Sequence, residues 1–369
     1  MSRRTGMIIA AAVAALRAAM PAAAADAPAW QPVHLSHDGT SYDFPVYANH
    51  PLAGDLGGIE RIVLVQHGIL RNGDAYFASG MAQLQASGVD PAKVLLLAPN
   101  FPAKEDRGFS GMPLWHAGGA HNWAGGDESL GFMLHVSSFQ VLDDLLAQLA
   151  DRKRMPALRS VTLAGHSAGA QMVQRYAVLN NVDETLRARG VDVRYVIANP
   201  SSYLYLAPER PRGAAFAVPE AGVCPDYDHY RYGLQDAVPY ARGRTGRALF
   251  ERYAARDVTY LNGARDDDPN HAELDKRCAA ELEGPNRLER GRAYQRSERA
   301  LAGSTTALHR SGFEVVGVGH DEARMFGSQC GRSALFGVPP ASGEGAACVP
   351  VDLGVPAQAV SAAAAGRSQ

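Results

Sequence analysis

The sequence lacks an excess of charge of either sign: 36 Lys and Arg stand against 38 Asp and Glu, a formal net charge of −2. That removes the electrostatic reason to expect nucleic acid or an acidic lipid surface as a partner. Beyond its first residues it also lacks any apolar run approaching the roughly 20 residues that cross a bilayer, so no integral membrane association is expected. Cysteine is scarce, and none of the four (Cys224, Cys278, Cys330, Cys348) has the Cys-x-x-Cys spacing of a zinc site. The acidic cluster Asp266-Asp267-Asp268 lacks EF-hand spacing, which leaves calcium as its lesser reading. There is no internal repeat. No metal and no organic cofactor is implied.

What is present describes an ordinary globular chain. Its 369 residues are 46% hydrophobic and 20% charged, enough to bury a sizeable core. Arg3 and Arg4 precede the mostly apolar Met7 to Met20, and Pro21 to Asp26 offers small residues for cleavage. Residues 1–25 therefore read as a signal peptide, although Arg17 interrupts its apolar run, and the mature protein is expected to be secreted or periplasmic. An even cysteine count in an exported chain suggests two disulfides, with three possible connectivities. Cys224–Cys278 and Cys330–Cys348 are expected, because the second closes a short loop. Residues 26–356 form the expected folded body, and the Ala/Gly/Ser-rich 357–369 a tail without fixed structure.

Within the body, strand and helix patterns alternate. Val33 to Tyr47 reads as two strands around the turn His37 to Thr40. Buried strands follow at Ile59–Gln66, Lys93–Ala98, Ser160–Ala164, Arg194–Ala198, Val258–Leu261 and, last, Glu314–Val318. Asp74–Ser87 and the strongly amphipathic Ser137–Leu149 read as helices, and His309 is placed within a helix. This rhythm predicts an α/β fold with a mostly parallel central sheet and helices on both faces. Two long segments break it: Phe101–His135, rich in Gly and aromatics, and 206–249, rich in Pro, Arg and Tyr. Loops of that length in a compact domain are functional or disordered, and their aromatic content argues against disorder.

In parallel sheets, active residues sit in loops at the carboxyl ends of the strands. His67, Ser167, Asp266 and His320 all follow predicted strand ends. Ser167 is the centre of Gly165-His166-Ser167-Ala168-Gly169, a Gly-x-Ser-x-Gly between a strand and a helix. That context belongs to a nucleophile elbow, a strained turn that presents the hydroxyl above the sheet. A serine needs a base, usually a histidine oriented by a carboxylate. His320, in Gly319-His320, is the candidate base ahead of His166, His271 and His309. Asp266 is the candidate acid, with Asp268 as the alternative. Oxyanion donors are expected from the N–H of Ala168, after the nucleophile, and of Ile69, after the sharp turn His67-Gly68. His67 itself is read as structural. Trp115, Trp123, Tyr203 and Tyr205 could line an apolar pocket. The arginines at 287, 290, 292, 296 and 299 read as a solvated helix face with local ion pairs.

In His67-Gly68, Gly165 to Gly169, Gly263 to Asp266 and Gly319-His320, and in the order Ser…Asp…His, the chain resembles the α/β-hydrolase superfamily of esterases, lipases and polyester depolymerases. The resemblance spans about Ile59 to Phe326. It is similar to a group of secreted hydrolases with an Arg-Asn pair after the His-Gly (Arg71-Asn72) and an Asp-Pro-Asn-His stretch after the acid (Asp268 to His271). The resemblance implies an α/β-hydrolase fold with 206–249 as a cap or lid insertion. It implies a serine esterase working through an acyl-enzyme on a small or polymeric ester, a polyester or aromatic ester among them. The insertion has no long apolar lid helix, which argues against bulk lipid. An amidase or peptidase with the same triad is the alternative, and a non-catalytic binding protein on this fold a further one that the intact Ser167, Asp266 and His320 disfavour.

Overall fold

The computed structural model describes residues 29–119, 121–131, 135–241, 243–339 and 345–351; the expected leader and tail lie outside them. The strands are β1 (Gln31–His37), β2 (Thr40–Ala48), β3 (Arg61–Gln66), β4 (Val94–Pro99), β5 (Ser160–His166), β6 (Asp192–Ala198), β7 (Arg210–Arg212), β8 (Ala215–Ala217), β9 (Asp257–Gly263), β10 (Arg310–Val315) and β11 (Cys348–Pro350). The helices are α1 (Gly73–Ala86), α2 (Ser138–Leu149), α3 (Ala168–Leu179), α4 (Val182–Ala188), α5 (Gly246–Ala254), α6 (Cys278–Glu281), α7 (Arg287–Ala302), α8 (Glu322–Phe326) and α9 (Gln329–Phe336).

One sheet has the order β1-β2-β4-β3-β5-β6-β9-β10-β11, and β7 and β8 form a separate ribbon. From β4 to β10 every neighbour is parallel. The edges are antiparallel: β1 on β2, β2 on β4, and β11 on β10. The β1–β2 hairpin closes through Asp38 and Gly39 at φ 48° and 78°, the left-handed pair that a two-residue turn needs.

The continuous apolar runs are explained by burial on both faces, since successive strand residues point to opposite sides. Ile62 and Leu64 of β3 join one core with Leu142 of α2, Val173 of α3, Phe250 of α5 and Tyr294 of α7. Val63 and Val65 join the other with Phe77 and Leu84 of α1, Met325 of α8 and Leu335 of α9. The amphipathic reading of α2 holds, and Ser137 caps it by accepting the Phe139 N–H at 3.2 Å. Among the described residues no helix is long and apolar enough to cross a membrane.

Three expectations are corrected at the C-terminal end. The strand expected at Glu314–Val318 runs from Arg310 to Val315, because Gly317 at φ 71° and the Val318 N–H to Val315 carbonyl bond turn the chain. It is not the last strand, since β11 pairs with its outer edge. His309 is not helical. α7 stops at Gly303, and His309 instead exchanges backbone hydrogen bonds with Ala254 and Val258.

Segment 206–249 is organised around a buried cation. Arg210, 1% exposed, donates to the carbonyls of Ala207, Tyr227 and Tyr232 and to Asp228, and its guanidinium lies over the rings of Tyr205 and Tyr227. The Cys224–Cys278 disulfide ties the segment to α6, and Cys330–Cys348 ties β11 to α9. Cys330–Cys348 closes a loop of 18 residues. Replacing both cysteines by serine is expected to cost roughly 3 kcal/mol from freed chain entropy, read as a lower midpoint in urea unfolding.

Candidate active site

Strand order reverses between β3 and β5: β4 lies to one side of β3, and β5 to the other. Ligands bind in the crevice outside the carboxyl ends at such a point. The chain leaves β5 and enters α3 through one residue, Ser167, at φ 58° and ψ −124°. The flanking glycines are required by packing. A methyl on Gly165 would overlap the carbonyl of Gly169, and one on Gly169 would overlap the carbonyls of Gln66 and His67. The Ser167 N–H is held by the Ala198 carbonyl of β6 at 3.0 Å.

His320 lies five residues beyond β10, between the turn at Gly317 and the N-terminus of α8. Asp321 caps that helix by accepting the Arg324 N–H at 3.0 Å. Nε2 of His320 is 2.9 Å from Ser167 Oγ, and Nδ1 is 2.7 Å from Asp266 Oδ2. With the ring proton on Nδ1 donated to Asp266, Nε2 is free to accept the serine hydroxyl. A hydroxyl held this way can shed its proton as it attacks. Asp266 is buried, whereas Asp267 and Asp268 are exposed. Oδ1 of Asp268 accepts the N–H of Asn270 at 2.8 Å. Of the three, Asp266 is the one brought to the histidine.

The Ile69 N–H donates to no backbone carbonyl among the described residues. Ala168 opens α3, so its N–H is among those that a helix leaves without an internal acceptor. Gly68 keeps the two turns in contact: a side chain there would stand 3.8 Å from Ser167 Cβ and run into the Tyr76 hydroxyl at 2.9 Å.

His67 is fully buried. Its Nε2 accepts the Phe101 N–H at 3.0 Å and its Nδ1 donates to the Gly68 carbonyl at 2.8 Å. Burial pushes its pKa down to about 4, so it serves as a neutral brace joining the ends of β3 and β4. His166 and His271 pack their rings 4.6 Å and 5.0 Å from that of His320. Burial also lowers His320 below its usual value of 6.5; the hydrogen bond to Asp266 opposes this, and the Arg287 charge adds to the depression.

Arg287 is the residue that sequence reasoning missed. The expected solvated face of α7 is not solvated: Arg287 and Arg290 are buried, 1% and 0% exposed, and Arg292, Arg296 and Arg299 are half-buried. Arg287 Nη1 lies 3.3 Å from Asp266 Oδ1, on the carboxylate oxygen not used by His320. Asn286 sets the helix start by accepting the Glu289 N–H at 2.9 Å, and the Leu288 N–H donates to the Asp266 carbonyl at 3.2 Å. The only cue in the sequence was an Asn at an N-cap position directly before the first arginine.

The four aromatic pocket candidates are core residues. Trp115 and Trp123 pack on Phe101 at 5.2 Å and 6.0 Å, and Tyr203 and Tyr205 pack on Tyr294 at 4.4 Å and 5.2 Å. Trp115 also edges a recess of about 240 Å³ with His116, His121 and Asp127, which does not include Ser167.

No family model and no curated protein matches the chain. Its structure is similar to LpqC, a poly(3-hydroxybutyrate) depolymerase from Bordetella parapertussis, with TM-score 0.59 and 23% identity over 85% of this chain and 92% of that one. It is also similar to poly(aspartic acid) hydrolase-1 from Sphingomonas sp. KT-1, with TM-score 0.56 and 21% identity over 84% of this chain and 99% of that one. The chain has the α/β-hydrolase fold.

The Asp266–Arg287 pair lends itself to a double-mutant cycle, since both side chains are almost fully buried. Asp266→Asn or Arg287→Met alone strands a buried partner, at a cost of about 3–5 kcal/mol. The double variant is expected to lose clearly less than the sum of the two, measured by urea unfolding.

Proposed function

We propose that the protein is a serine hydrolase that cleaves carboxylic esters through an acyl-enzyme. The observation that carries the reading is the unbroken hydrogen-bond chain from Ser167 Oγ through His320 to Asp266, at 2.9 Å and 2.7 Å, built on a serine held at positive φ. Ser167 Oγ attacks the ester carbonyl while His320 Nε2 takes its proton. Asp266 holds the imidazole in the needed tautomer and stabilises the imidazolium that forms. The Ile69 and Ala168 N–H groups donate to the oxyanion. His320 then protonates the departing alkoxide, and water, deprotonated by the same ring, releases the acid.

Segments 101–135 and 206–249 are proposed as the substrate-facing cap. In support, Arg231 Nη1 donates to Asn122 at 3.2 Å and the Tyr230 hydroxyl to the Gly125 carbonyl at 2.5 Å. An exported enzyme with a polar, tyrosine-rich cap suits a polymeric or aromatic ester better than bulk lipid. The names of both fold neighbours denote polymer hydrolysis. The second of those names keeps an amide bond as the alternative, and matched ester and amide substrates separate the two.

A fluorophosphonate probe should label the wild-type protein and not Ser167→Ala; an unlabelled wild type sinks the reading. Asp266→Asn is expected to lower kcat by roughly 10³- to 10⁴-fold, while Asp268→Asn stays close to wild type in the same p-nitrophenyl ester assay. The pH dependence follows from His320. The base works only when neutral, and its pKa lies below the usual 6.5. Activity should therefore persist as pH falls through that value and be lost only lower. An acid limb of kcat/KM at or above 6.5 would mean that Asp266 outweighs burial and Arg287 at His320.

A further inference from the structure

The residue directly after β6 joins the two loops that carry the acid and the base. Asn199 is fully buried and sits at φ 48°, a left-handed conformation that asparagine tolerates better than most side chains. Its Oδ1 accepts the Gly263 N–H at 2.8 Å, and its Nδ2 donates to the Gly319 carbonyl at 3.2 Å. Gly263 ends β9, and its own carbonyl accepts the N–H of Asp266 at 3.0 Å. Gly319 immediately precedes His320. The main chain completes the arrangement. The Asn199 N–H donates to Leu261 of β9 at 3.1 Å, while the preceding carbonyl, Ala198, accepts the Ser167 N–H at 3.0 Å.

The acid and base loops touch at this point. The Arg265 N–H donates to the Val318 carbonyl at 2.8 Å. A side chain on Gly263 would stand 2.7 Å and 2.8 Å from the carbonyls of Val318 and Gly319. The clamp needs one acceptor and one donor at opposite corners of a short planar group, which an amide supplies. Aspartate lacks the donor, leucine lacks both, and the reach of glutamine is wrong.

We propose that Asn199 is a positioning residue. Its amide clamps the loop of Asp266 against the loop of His320, and its backbone sets both in register with the strand that presents Ser167. This rests on the triad reading above. It concerns how the three groups are held at hydrogen-bond distance, a geometry in which small misplacements cost rate.

The test compares wild type with Asn199→Gly, which keeps the positive φ without strain, and Asn199→Asp, which keeps the shape and the acceptor but loses the donor. Three quantities are read: kcat and KM on a soluble p-nitrophenyl ester, melting temperature, and the downfield proton NMR signal of the His320 Nδ1–H. Measured well below their melting temperatures, both variants are expected to lose about ten- to hundredfold in kcat with KM changed less than about threefold, and to shift or lose the NMR signal; Asn199→Gly also melts lower, because two buried hydrogen bonds are lost. Wild-type kcat and an unmoved signal in Asn199→Gly overturn the clamp. So does a loss of kcat that tracks melting while the signal stays intact, which marks a merely structural role. If Asn199→Gly does not fold, Asn199→Asp carries the same comparison. A wild type that fluorophosphonate fails to label overturns the hydrolase reading instead, so the two failures are distinguishable.

Discussion

Between β5 and α3 the chain has one residue in which to turn, and Ser167 makes that turn at φ 58°. A conformation of this kind costs free energy and persists only where the surroundings over-determine it. Here the surroundings are the carboxyl ends of β3, β5 and β6 and the start of α3. Gly169 lies against the backbone that ends β3, Gly165 lies against α3, and β6 holds the Ser167 N–H. A side chain at either glycine would push the helix off the sheet. The same close approach puts the Gly68 turn beside the serine. The position of the site is thus a consequence of sheet order and of two missing side chains.

The second requirement is electrostatic. A carboxylate placed deep enough to orient His320 is removed from water, and an unpaired buried charge is costly. Asp266 meets this by dividing its oxygens: Oδ2 faces His320 and Oδ1 faces Arg287. The guanidinium is equally buried, so the pair is a matched desolvated unit rather than a surface ion pair. Its charge also favours the neutral form of His320. His166 packs tilted, and His271 edge-on, against the same ring.

The fold was legible because both of its periodicities are strong. Runs such as Ile62–Val65 and Val94–Ala98 have no polar alternation, which is the mark of strands covered on both faces, and α2 carries a clear apolar stripe. The elbow was legible because its glycines are steric necessities. What escaped depended on contacts distant in sequence. Arg287 and Arg299 lie on the same arginine-rich helix, and nothing local says that the first plugs into Asp266, 21 residues upstream. Asn199 looked like a loop residue after a strand. Its clamp joins positions 64 and 120 residues away. β11 was missed because three residues carry too little pattern, and its place is set by pairing with β10 and by a disulfide. The early end of β10 turned on Gly317, which a run of valines concealed.

The two long segments bear on what can reach Ser167, and they are fixed to the helix that the serine begins. Arg175 of α3 is fully buried. It donates to the Ala124 carbonyl at 3.3 Å, to the Arg231 carbonyl at 3.2 Å and to Ser202 at 3.0 Å. One guanidinium therefore joins segment 101–135, segment 206–249 and the loop after β6. Swinging either segment away as a unit would cost this desolvated cation one of its acceptors, a loss comparable to breaking one charge-assisted hydrogen bond. The disulfide from Cys224 to α6 adds a covalent limit on the same segment. On the proposed reading, access to Ser167 then depends on the shape the two segments already have more than on a large opening motion.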